Sequence, residues 1–178
     1  MLFSKRIHLR LLEEGDLESR VSWFNDPDIY RYLVSDFPVS LSKTLVWFKN
    51  TLFDETKVNF SIVCNDSKKL IGMTGLLNIN KKNNTAQMYI TIGDSEFRGI
   101  GLPDEIIPAL LEYSFTELNI NKIYLWTISS NDRGRKVYER NGFLKEAEMV
   151  EHIYCRGKYQ NLIQHAILKS DFLKRKLV

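Results

Sequence analysis

The N-terminal part of the chain changes from the hydrophobic period of a strand to that of a helix. Apolar and polar residues alternate over residues 7–11, which is typical of a half-buried strand. Gly15 and Asp16 begin a segment that we expect to be helical up to Asn25. Apolar residues recur at helical spacing again after Ser40, a residue type preferred before a first helical turn. This part therefore predicts one strand followed by two helices.

The middle of the chain returns to the period of strands. Apolar runs at residues 60–63, 70–77 and 85–92 predict three strands. Turn-forming segments separate them, at residues 65–67 and at residues 81–84. Strands joined by such short turns pair with each other and run antiparallel. The middle of the chain therefore predicts an antiparallel meander.

The segment after the meander predicts a helix, a buried strand and a second, shorter helix. Apolar residues recur at helical spacing over residues 102–118, where we expect Pro108 to kink the helix or delay its start. Residues 122–128 are almost continuously apolar, as in a strand covered on both faces. Residues 132–141 predict the shorter helix, and Gly142 after Asn141 is a common way to end one.

The chain finishes with a predicted hairpin. Its strands are residues 143–154 and 158–168, with Gly157 at the turn. The complete predicted order is β-α-α-β-β-β-α-β-α-β-β. This order predicts an α/β fold of the α+β type, in which about four helices flank a mixed, largely antiparallel central sheet.

Length, composition and charge limit the classes of function. A chain of 178 residues, of which 44% are hydrophobic, predicts a single domain over residues 1–178 with its own core. The net charge of +3 tolerates an anionic ligand but does not indicate nucleic-acid binding. No apolar run is long enough to span a membrane, and the N-terminus does not resemble a signal peptide. We therefore expect a cytoplasmic protein with neither a nucleic-acid nor a membrane partner.

The cysteines and histidines do not indicate a metal site. Cys64 and Cys155 lie far apart and outside any metal-ligand spacing, and the chain has only three histidines. Two free thiols are the ordinary state of such cysteines in a reducing cytoplasm. We expect no metal and no catalytic cysteine.

Glycines stand between the last strand of the meander and the following helix. The stretch reads Arg98-Gly99-Ile100-Gly101. Glycine lets backbone amides come close to an anion, and the start of the helix adds its positive end. The stretch is not a Walker loop, because no Gly-Lys-Ser/Thr follows, and the preceding meander is not the βαβ unit of a dinucleotide fingerprint. A turn that only starts a helix would also explain the glycines, but the strand, the helix and Arg98 together favour an anion site.

The glycine stretch, extended to Leu102-Pro103, resembles the Arg/Gln-x-x-Gly-x-Gly/Ala signature of the GNAT superfamily of acyl-CoA N-acyltransferases. Over about residues 7–168 the chain resembles the branch of RimJ/RimL and spermidine acetyltransferases. Three other segments carry this resemblance: Leu9-Arg10-Leu11-Leu12 followed by Asp16, Trp23-Phe24-Asn25-Asp26-Pro27, and Asn131 with Tyr138 and Gly142-Phe143 after it. The resemblance implies a GNAT-like fold and acetyl-CoA as cosubstrate.

The resemblance also implies how acetyl-CoA lies. In such proteins the pantetheine arm pairs with the strand before the glycine loop, and the pyrophosphate lies on the loop amides. Asn131 would contact the pantetheine arm, and Arg133, Arg135 and Lys136 would be candidates for the 3′-phosphate, although an exposed helix face explains these charges as well. Pro103 has no amide hydrogen to donate. The cofactor-binding candidates are Ile90, Thr91, Ile92, Arg98, Gly99, Ile100, Gly101, Leu102, Pro103, Asn131, Arg133 and Lys136.

Tyr138 is the candidate general acid. When an amine attacks the thioester, the CoA thiolate leaves and needs a proton. A tyrosine hydroxyl, with a pKa near 10, can donate one as negative charge develops on sulfur. A packed aromatic residue on an amphipathic helix is the alternative explanation for Tyr138.

Gln87 stands where the superfamily often has a glutamate base, so we expect it to orient an amine or a water. Glutamine cannot accept a proton at useful pH. Deprotonating a lysine-like amine at pH 7 costs about 4.6 kcal/mol, whereas an α-amine costs about 1 kcal/mol. A site without a carboxylate base therefore favours an α-amine, unless another carboxylate such as Glu151 reaches it.

We therefore expect an acetyl-CoA-dependent N-acetyltransferase that moves the acetyl group directly to a primary amine. A protein N-terminal α-amine, as in the RimJ/RimL type, ranks slightly above a small amine such as a polyamine, an amino sugar or an aminoglycoside. A non-catalytic acyl-CoA-binding module is the alternative of another class. The antiparallel edge strands near the C-terminus also need a cover, for which a homodimer is one solution.

Overall fold

The computed structural model describes residues 1–34, 37–155 and 157–176. Within these residues, eight strands form one open sheet. The strands are β1 (Leu2–Phe3), β2 (Ile7–Leu11), β3 (Val58–Cys64), β4 (Leu70–Asn80), β5 (Thr85–Ile92), β6 (Lys122–Ile128), β7 (Leu144–Cys155) and β8 (Lys158–Leu168). The helices are α1 (Leu17–Asn25), α2 (Pro27–Tyr30), α3 (Leu41–Thr51), α4 (Pro103–Thr116), α5 (Asp132–Arg140) and α6 (Lys169–Lys176).

The sheet is mostly antiparallel and contains one fork. Its strand order is β1-β2-β3-β4-β5-β6-β8-β7, and β5 and β6 run parallel whereas the other neighbours run antiparallel. β5 and β6 pair only from Thr85 opposite Lys122 to Gln87 opposite Tyr124. Beyond Gln87 the two strands separate, although β5 stays paired with β4 as far as Ile92. The fork therefore leaves one edge of β5 without a strand partner.

The predicted fold class is confirmed, with two helices and one strand more than the sequence pattern indicated. Pro27 follows the end of α1 and is also the first residue of α2. The Asp26 carboxylate caps α2 by accepting a hydrogen bond of 2.9 Å from the Asp28 amide. α6 buries a single residue, Phe172, whose ring lies 5.4 Å from that of Phe115. Pro108 does not delay α4, because the helix begins at Pro103 and continues through it.

The main core lies between the sheet and α4. This helix buries six side chains, of which Ile106, Ile107 and Leu110 are completely inaccessible to solvent. A smaller apolar cluster lies beneath α1 and α3, where Leu17 and Phe48 pack with Met73 of β4. Burial of this size supplies most of the free energy that holds helices on a sheet. α1 and α3 are thereby fixed beside β4 and β5, next to the fork.

An ion pair between a half-buried arginine and a buried carboxylate joins β2, β3 and the start of α1. Arg10 donates two hydrogen bonds of 2.7 Å to the two carboxylate oxygens of Asp16. Asp16 also accepts a bond of 2.6 Å from Ser61 and one of 3.0 Å from the Glu13 amide. The Asp16 carboxylate is thus surrounded by donors, which is what a buried charge requires.

Within the described ranges, no helix is long and apolar enough to cross a membrane. Cys64 and Cys155 are both free thiols. In the same part of the chain, no three side chains of His, Cys, Asp or Glu are grouped as metal ligands.

Candidate active site

A cavity of about 800 Å³ opens where β5 and β6 separate. On one side, here called the loop side, it is lined by α5 and by Arg98, Gly99 and Gly101 of the glycine loop (residues 98–102). On the other, the helix side, it is lined by Arg20, Phe24, Trp47 and Asn59. A single space therefore reaches from the glycine loop to the helices that precede the meander.

The glycine loop presents backbone amides that no residue in the described part of the chain uses. Gly99 and Gly101 have φ angles of 84° and 80°, which glycine adopts without strain. The amides of residues 99–102 donate to none of the described residues, and α4 begins directly after them. From the other side, Arg6 donates a hydrogen bond of 2.9 Å to the Ile100 carbonyl and pairs with Glu105. These free amides at a helix start form a cradle suited to a phosphate.

Arg98 is placed differently from what the sequence suggested. Its amide donates to the Ser95 carbonyl at 3.2 Å, so it is not one of the free amides. Its guanidinium donates to the Asp26 carboxylate at 2.9 Å and to the carbonyls of Ile92 and Gly93. Arg98 therefore fixes the glycine loop to the end of α1. It lines the cavity, but its charge already has a partner.

The beginning of α5 lies against the glycine loop. The Asn131 side chain accepts a hydrogen bond of 2.9 Å from the Gly134 amide and caps the helix. The Arg133 guanidinium comes within 3.0 Å of the position that a side chain on Gly99 would occupy. Arg133 and Lys136 are exposed and line the cavity, whereas Arg135 pairs with Asp132. Two free cations thus stand beside the amide cradle.

Ile90, Thr91 and Ile92 line the cavity along the edge of β5 that has lost its partner strand. Because this edge faces the gap of the fork, its peptide groups are open to an extended ligand, as edge strands generally are. An extended chain with amide groups would lie there between β5 and β6.

Tyr138 of α5 reaches the cavity between the two sides. It is half-buried, and burial raises the pKa of its hydroxyl to about 12. Its ring packs 6.0 Å from that of Phe143 and 6.3 Å from that of the buried His165. The hydroxyl has no hydrogen-bond partner among the described residues and stays protonated at neutral pH. It can therefore donate a hydrogen bond or a proton to a group in the cavity.

Gln87 also lines the cavity, at the point where the fork begins. Its carbonyl oxygen accepts a hydrogen bond of 3.0 Å from the Asn78 side chain. Asp28 is the one acidic residue of the lining within the described residues, and it pairs with Arg31. Glu151 is exposed on β7 and does not line the cavity. Among the described residues, no unpaired carboxylate therefore lines the cavity beside Gln87.

The final hairpin contributes little to the cavity. Leu162 of β8 lines the cavity, but His152, Tyr154 and Tyr159 do not. These three side chains lie near the far end of the β7–β8 hairpin, where the rings of Tyr154 and Tyr159 meet edge to face with their centres 5.2 Å apart. They therefore do not form a wall of this cavity.

Several polar residues of the helix side escaped the sequence analysis. The Tyr89 hydroxyl donates a hydrogen bond of 2.8 Å to the Asn59 side chain, and burial raises the pKa of Tyr89. Arg20 is half-buried beside them and lines the same wall. The spacing of Arg20 and Phe24, one helical turn apart, was the available signal.

A sheet that forks beside a cradle of free amides, with a tyrosine hydroxyl in the fork, is the arrangement of acyl-CoA-dependent N-acyltransferases. The sequence profile of the family described as Acetyltransferase (GNAT) domain matches residues 6–144. The chain belongs to the GNAT family of acetyltransferases.

Known relatives resemble the chain over almost its whole length. A spermidine N(1)-acetyltransferase of Vibrio cholerae is 32% identical, over 97% of this chain and 98% of that protein. The spermidine N(1)-acetyltransferase of Escherichia coli K12 is 26% identical, over 94% of this chain and 88% of that protein. The crystal structure of a Vibrio cholerae spermidine N-acetyltransferase in complex with CoA and spermine superimposes with a TM-score of 0.90 at 32% identity, covering 96% of this chain and 99% of that one.

These findings establish the reaction class. The chain is an acetyl-CoA-dependent N-acetyltransferase, so the predicted family, enzyme class and cosubstrate are confirmed. The roles of individual residues and the identity of the amine remain predictions.

Proposed function

We propose that this enzyme acetylates a small primary amine, which enters the cavity on its helix side. The observation that carries the proposal is the single cavity, in which the amide cradle and the helix side are continuous. The relatives named as spermidine acetyltransferases support a small amine over the protein N-terminus that the sequence analysis ranked first. The same comparisons favour catalysis over simple acyl-CoA binding.

On the loop side, the free amides of residues 99–102 would hold the pyrophosphate of acetyl-CoA. The open edge of β5 would pair with the pantetheine arm, and Arg133 and Lys136 would neutralise the 3′-phosphate. Asn131 would contact the pantetheine arm through its side-chain amide. These contacts position the thioester at the fork, which is the largest contribution we assign to the protein.

At the fork, the amine nitrogen would attack the thioester carbon, and the carbon–sulfur bond would break. A backbone amide of β5 near Ile90 or Ile92 would stabilise the negative charge on the carbonyl oxygen. The Tyr138 hydroxyl would then give its proton to the leaving sulfur. Gln87 would accept a hydrogen bond from the amine through its carbonyl oxygen and so aim the nitrogen, but it would not remove a proton. The proton that the nitrogen loses would pass to water, and the Tyr138 phenolate would regain a proton from water.

The test is thiol release from acetyl-CoA with a panel of amines, for the wild type and for Tyr138→Phe. The panel holds spermidine, spermine, an amino sugar, an aminoglycoside, small amino acids and dipeptides, and a peptide that mimics a protein N-terminus. We expect at least one small amine to be acetylated faster than the peptide. We expect turnover by Tyr138→Phe to fall at least about tenfold while CoA binding is unchanged.

Tyr113→Phe is the matched control, because this tyrosine lies on α4, packs against Phe60 and does not line the cavity. It should keep wild-type turnover. If no amine is acetylated although CoA binds, the proposed function is wrong. Unchanged turnover in Tyr138→Phe would remove only Tyr138 from the mechanism.

A further inference from the structure

Arg20 is held between two aromatic rings on the helix side of the cavity. Its guanidinium carbon lies 4.2 Å from the centre of the Phe24 ring and 4.1 Å from that of Trp47. Rings at such distances attract the cation through their faces and restrict its motion. Phe24 comes from α1 and Trp47 from α3, so the two helices together set the position of the charge.

The Arg20 charge has no anionic partner in the described part of the chain. No described carboxylate pairs with it, and no described residue accepts a hydrogen bond from it. Burial lowers the pKa of Arg20, which shows that the surroundings disfavour the charge. The aromatic rings cover the planar faces of a guanidinium, but its N–H groups lie in the plane and stay available to an acceptor. A partly buried cation with free donors is stabilised when an anion binds there.

The charges of the other described lining residues disfavour binding of a polycation. Its lining contains five basic side chains and one acidic side chain among the described residues. The basic ones are Arg20, Arg98, Arg133, Lys136 and Arg140, and the acidic one is Asp28. Asp28 is already paired with Arg31. Arg98 and Arg140 pair with carboxylates, and Arg133 and Lys136 lie on the loop side. On the helix side, a polyamine would therefore meet the like charge of Arg20 and find no free carboxylate among the described lining residues.

Uncharged hydrogen-bonding groups stand close to Arg20. The Tyr89 phenol is near enough to interact electrostatically with the guanidinium, and its hydroxyl donates to Asn59 at 2.8 Å. Asn59 keeps its amide hydrogens available, because none of them donates to a described residue. A carboxylate or phosphate bound by Arg20 would find these amide donors beside it.

We propose that Arg20 binds an anionic group of the acceptor, so that the substrate is a small primary amine that also carries a carboxylate or a phosphate. This inference rests on the proposed function and narrows it. The anion would lie between α1 and α3 on Arg20, and the amine would point towards Gln87 and the fork. The polyamines of the relatives would be poor acceptors for this chain.

The test compares acceptors that differ only in the anion. A dipeptide is compared with its C-terminal amide, because both keep an α-amine of similar pKa. An amino sugar phosphate is compared with the free amino sugar, which separates phosphate from carboxylate. Spermidine is the polycation. For wild type, we expect kcat/KM to be about tenfold to a hundredfold higher for the anionic member of at least one pair, as bidentate binding to a guanidinium implies.

Arg20→Met should bring this ratio close to one, while Arg20→Lys, which keeps the charge without the planar fork, should retain part of it. Lys49→Met is the matched control: it removes an exposed cation of α3 that does not line the cavity, and the ratio should not change. A role of Arg20 in packing alone would lower stability and turnover without altering the ratio between paired acceptors. The melting temperature of each variant is measured alongside.

Two results separate this inference from the proposed function. If the wild type acetylates neutral amines or spermidine as well as the anionic ones, the inference is wrong and the proposed function stands. If no amine of any charge is acetylated, the proposed function fails and the inference with it. Should Arg20→Met not fold, the wild-type ratios alone still decide.

Discussion

At the scale of a single residue, we expect Gln87 to determine which protonation state of the amine can react. It lies where the fork begins, and its side chain can orient an amine but cannot take its proton. In the proposed mechanism the amine therefore arrives uncharged. Asp28 is the one acidic residue in the described lining of the cavity, and its carboxylate forms an ion pair with Arg31.

Gln87→Glu should relieve this requirement. The new carboxylate can still accept the hydrogen bond from Asn78. In wild type, kcat/KM should rise with pH up to the pKa of the amine, because only the neutral amine reacts. In the variant, kcat/KM near pH 7 should rise at least about tenfold for an amine of lysine-like pKa, which is less than the roughly hundredfold or more that a general base in its native site contributes. Initial rates between about pH 6 and about pH 10 measure both profiles.

Gln160→Glu is the control for this substitution. Its side chain accepts a hydrogen bond of 2.7 Å from Ser130 and does not line the cavity. Its pH profile should match that of wild type. Identical profiles for Gln87→Glu and wild type would show that Gln87 does not contact the reacting amine.

The site residues divide into those that a local motif predicts and those that only the fold brings together. The glycine loop and α5 each fall in one continuous segment with its own turn chemistry, so the sequence indicated them. The direction of the Arg98 side chain depends on Asp26, which lies 72 positions away in sequence. Arg20, Asn59 and Tyr89 meet from a helix and two strands. No local pattern reports such long-range contacts.

At the scale of elements, the Asp16 carboxylate connects three of them. Burial alone would raise its pKa, but the hydrogen bonds from Arg10, Ser61 and the Glu13 amide outweigh this and lower it. A carboxyl whose pKa is lower in the folded state stabilises the fold above its unfolded value, near 3.9. That contribution is lost as the pH falls through the lower pKa of the folded state.

Asp16→Asn should therefore destabilise the protein at neutral pH by about 1.5–3 kcal/mol, because the charge-assisted hydrogen bonds between the buried carboxylate and the half-buried Arg10 are lost. In acid the difference between the variant and wild type should shrink. Urea unfolding from about pH 7 to about pH 2 measures this. Glu55→Gln removes an exposed ion pair with Lys81 and should have no measurable effect. A constant difference at all pH values would contradict the assigned role of Asp16.

The elements that the sequence pattern did not indicate share a physical cause. β1 has two residues and α2 has four, so neither contains a full hydrophobic period. α6 buries only Phe172, and its stripe is too narrow to stand out in the sequence. Longer elements such as α4 bury six side chains and impose a clear pattern. An element that buries more apolar surface therefore leaves a clearer hydrophobic pattern in the sequence.

At the scale of the whole molecule, the two parts of the sheet are joined by only three residue pairs between β5 and β6. Bound CoA would contact β5, the glycine loop and α5, and so bridge the gap. Binding to the folded state alone stabilises a protein by about 2.7 kcal/mol at a concentration of about 100 Kd. CoA should therefore raise the melting temperature markedly.

Gly99→Ala should remove much of this stabilisation. The residue has a φ of 84°, and the added methyl group would lie 3.0 Å from Arg133. Gly157→Ala is the matched control, because its φ is 77° but nothing lies within 4 Å of the added group. Both variants should lose about 1 kcal/mol of stability from backbone strain. Only Gly99→Ala should show a smaller rise in melting temperature with CoA; equal rises would separate the glycine loop from CoA binding.

The fork also separates, along the chain, the residues that we assign to the amine from most of those that we assign to acetyl-CoA. Arg20, Asn59 and Gln87, which we assign to the amine, all precede the end of β5, whereas Gly99 and Tyr138 follow it. The residues that we assign to the amine thus precede, in the chain, those that we assign to the CoA phosphates and the thiolate, and the edge of β5 that would pair with the pantetheine arm lies between the two groups. Substitutions among the residues assigned to the amine should change which amine is acetylated and leave the contacts with the CoA phosphates intact. Enzymes with this fold can therefore differ in the amine they acetylate and keep the same contacts with acetyl-CoA.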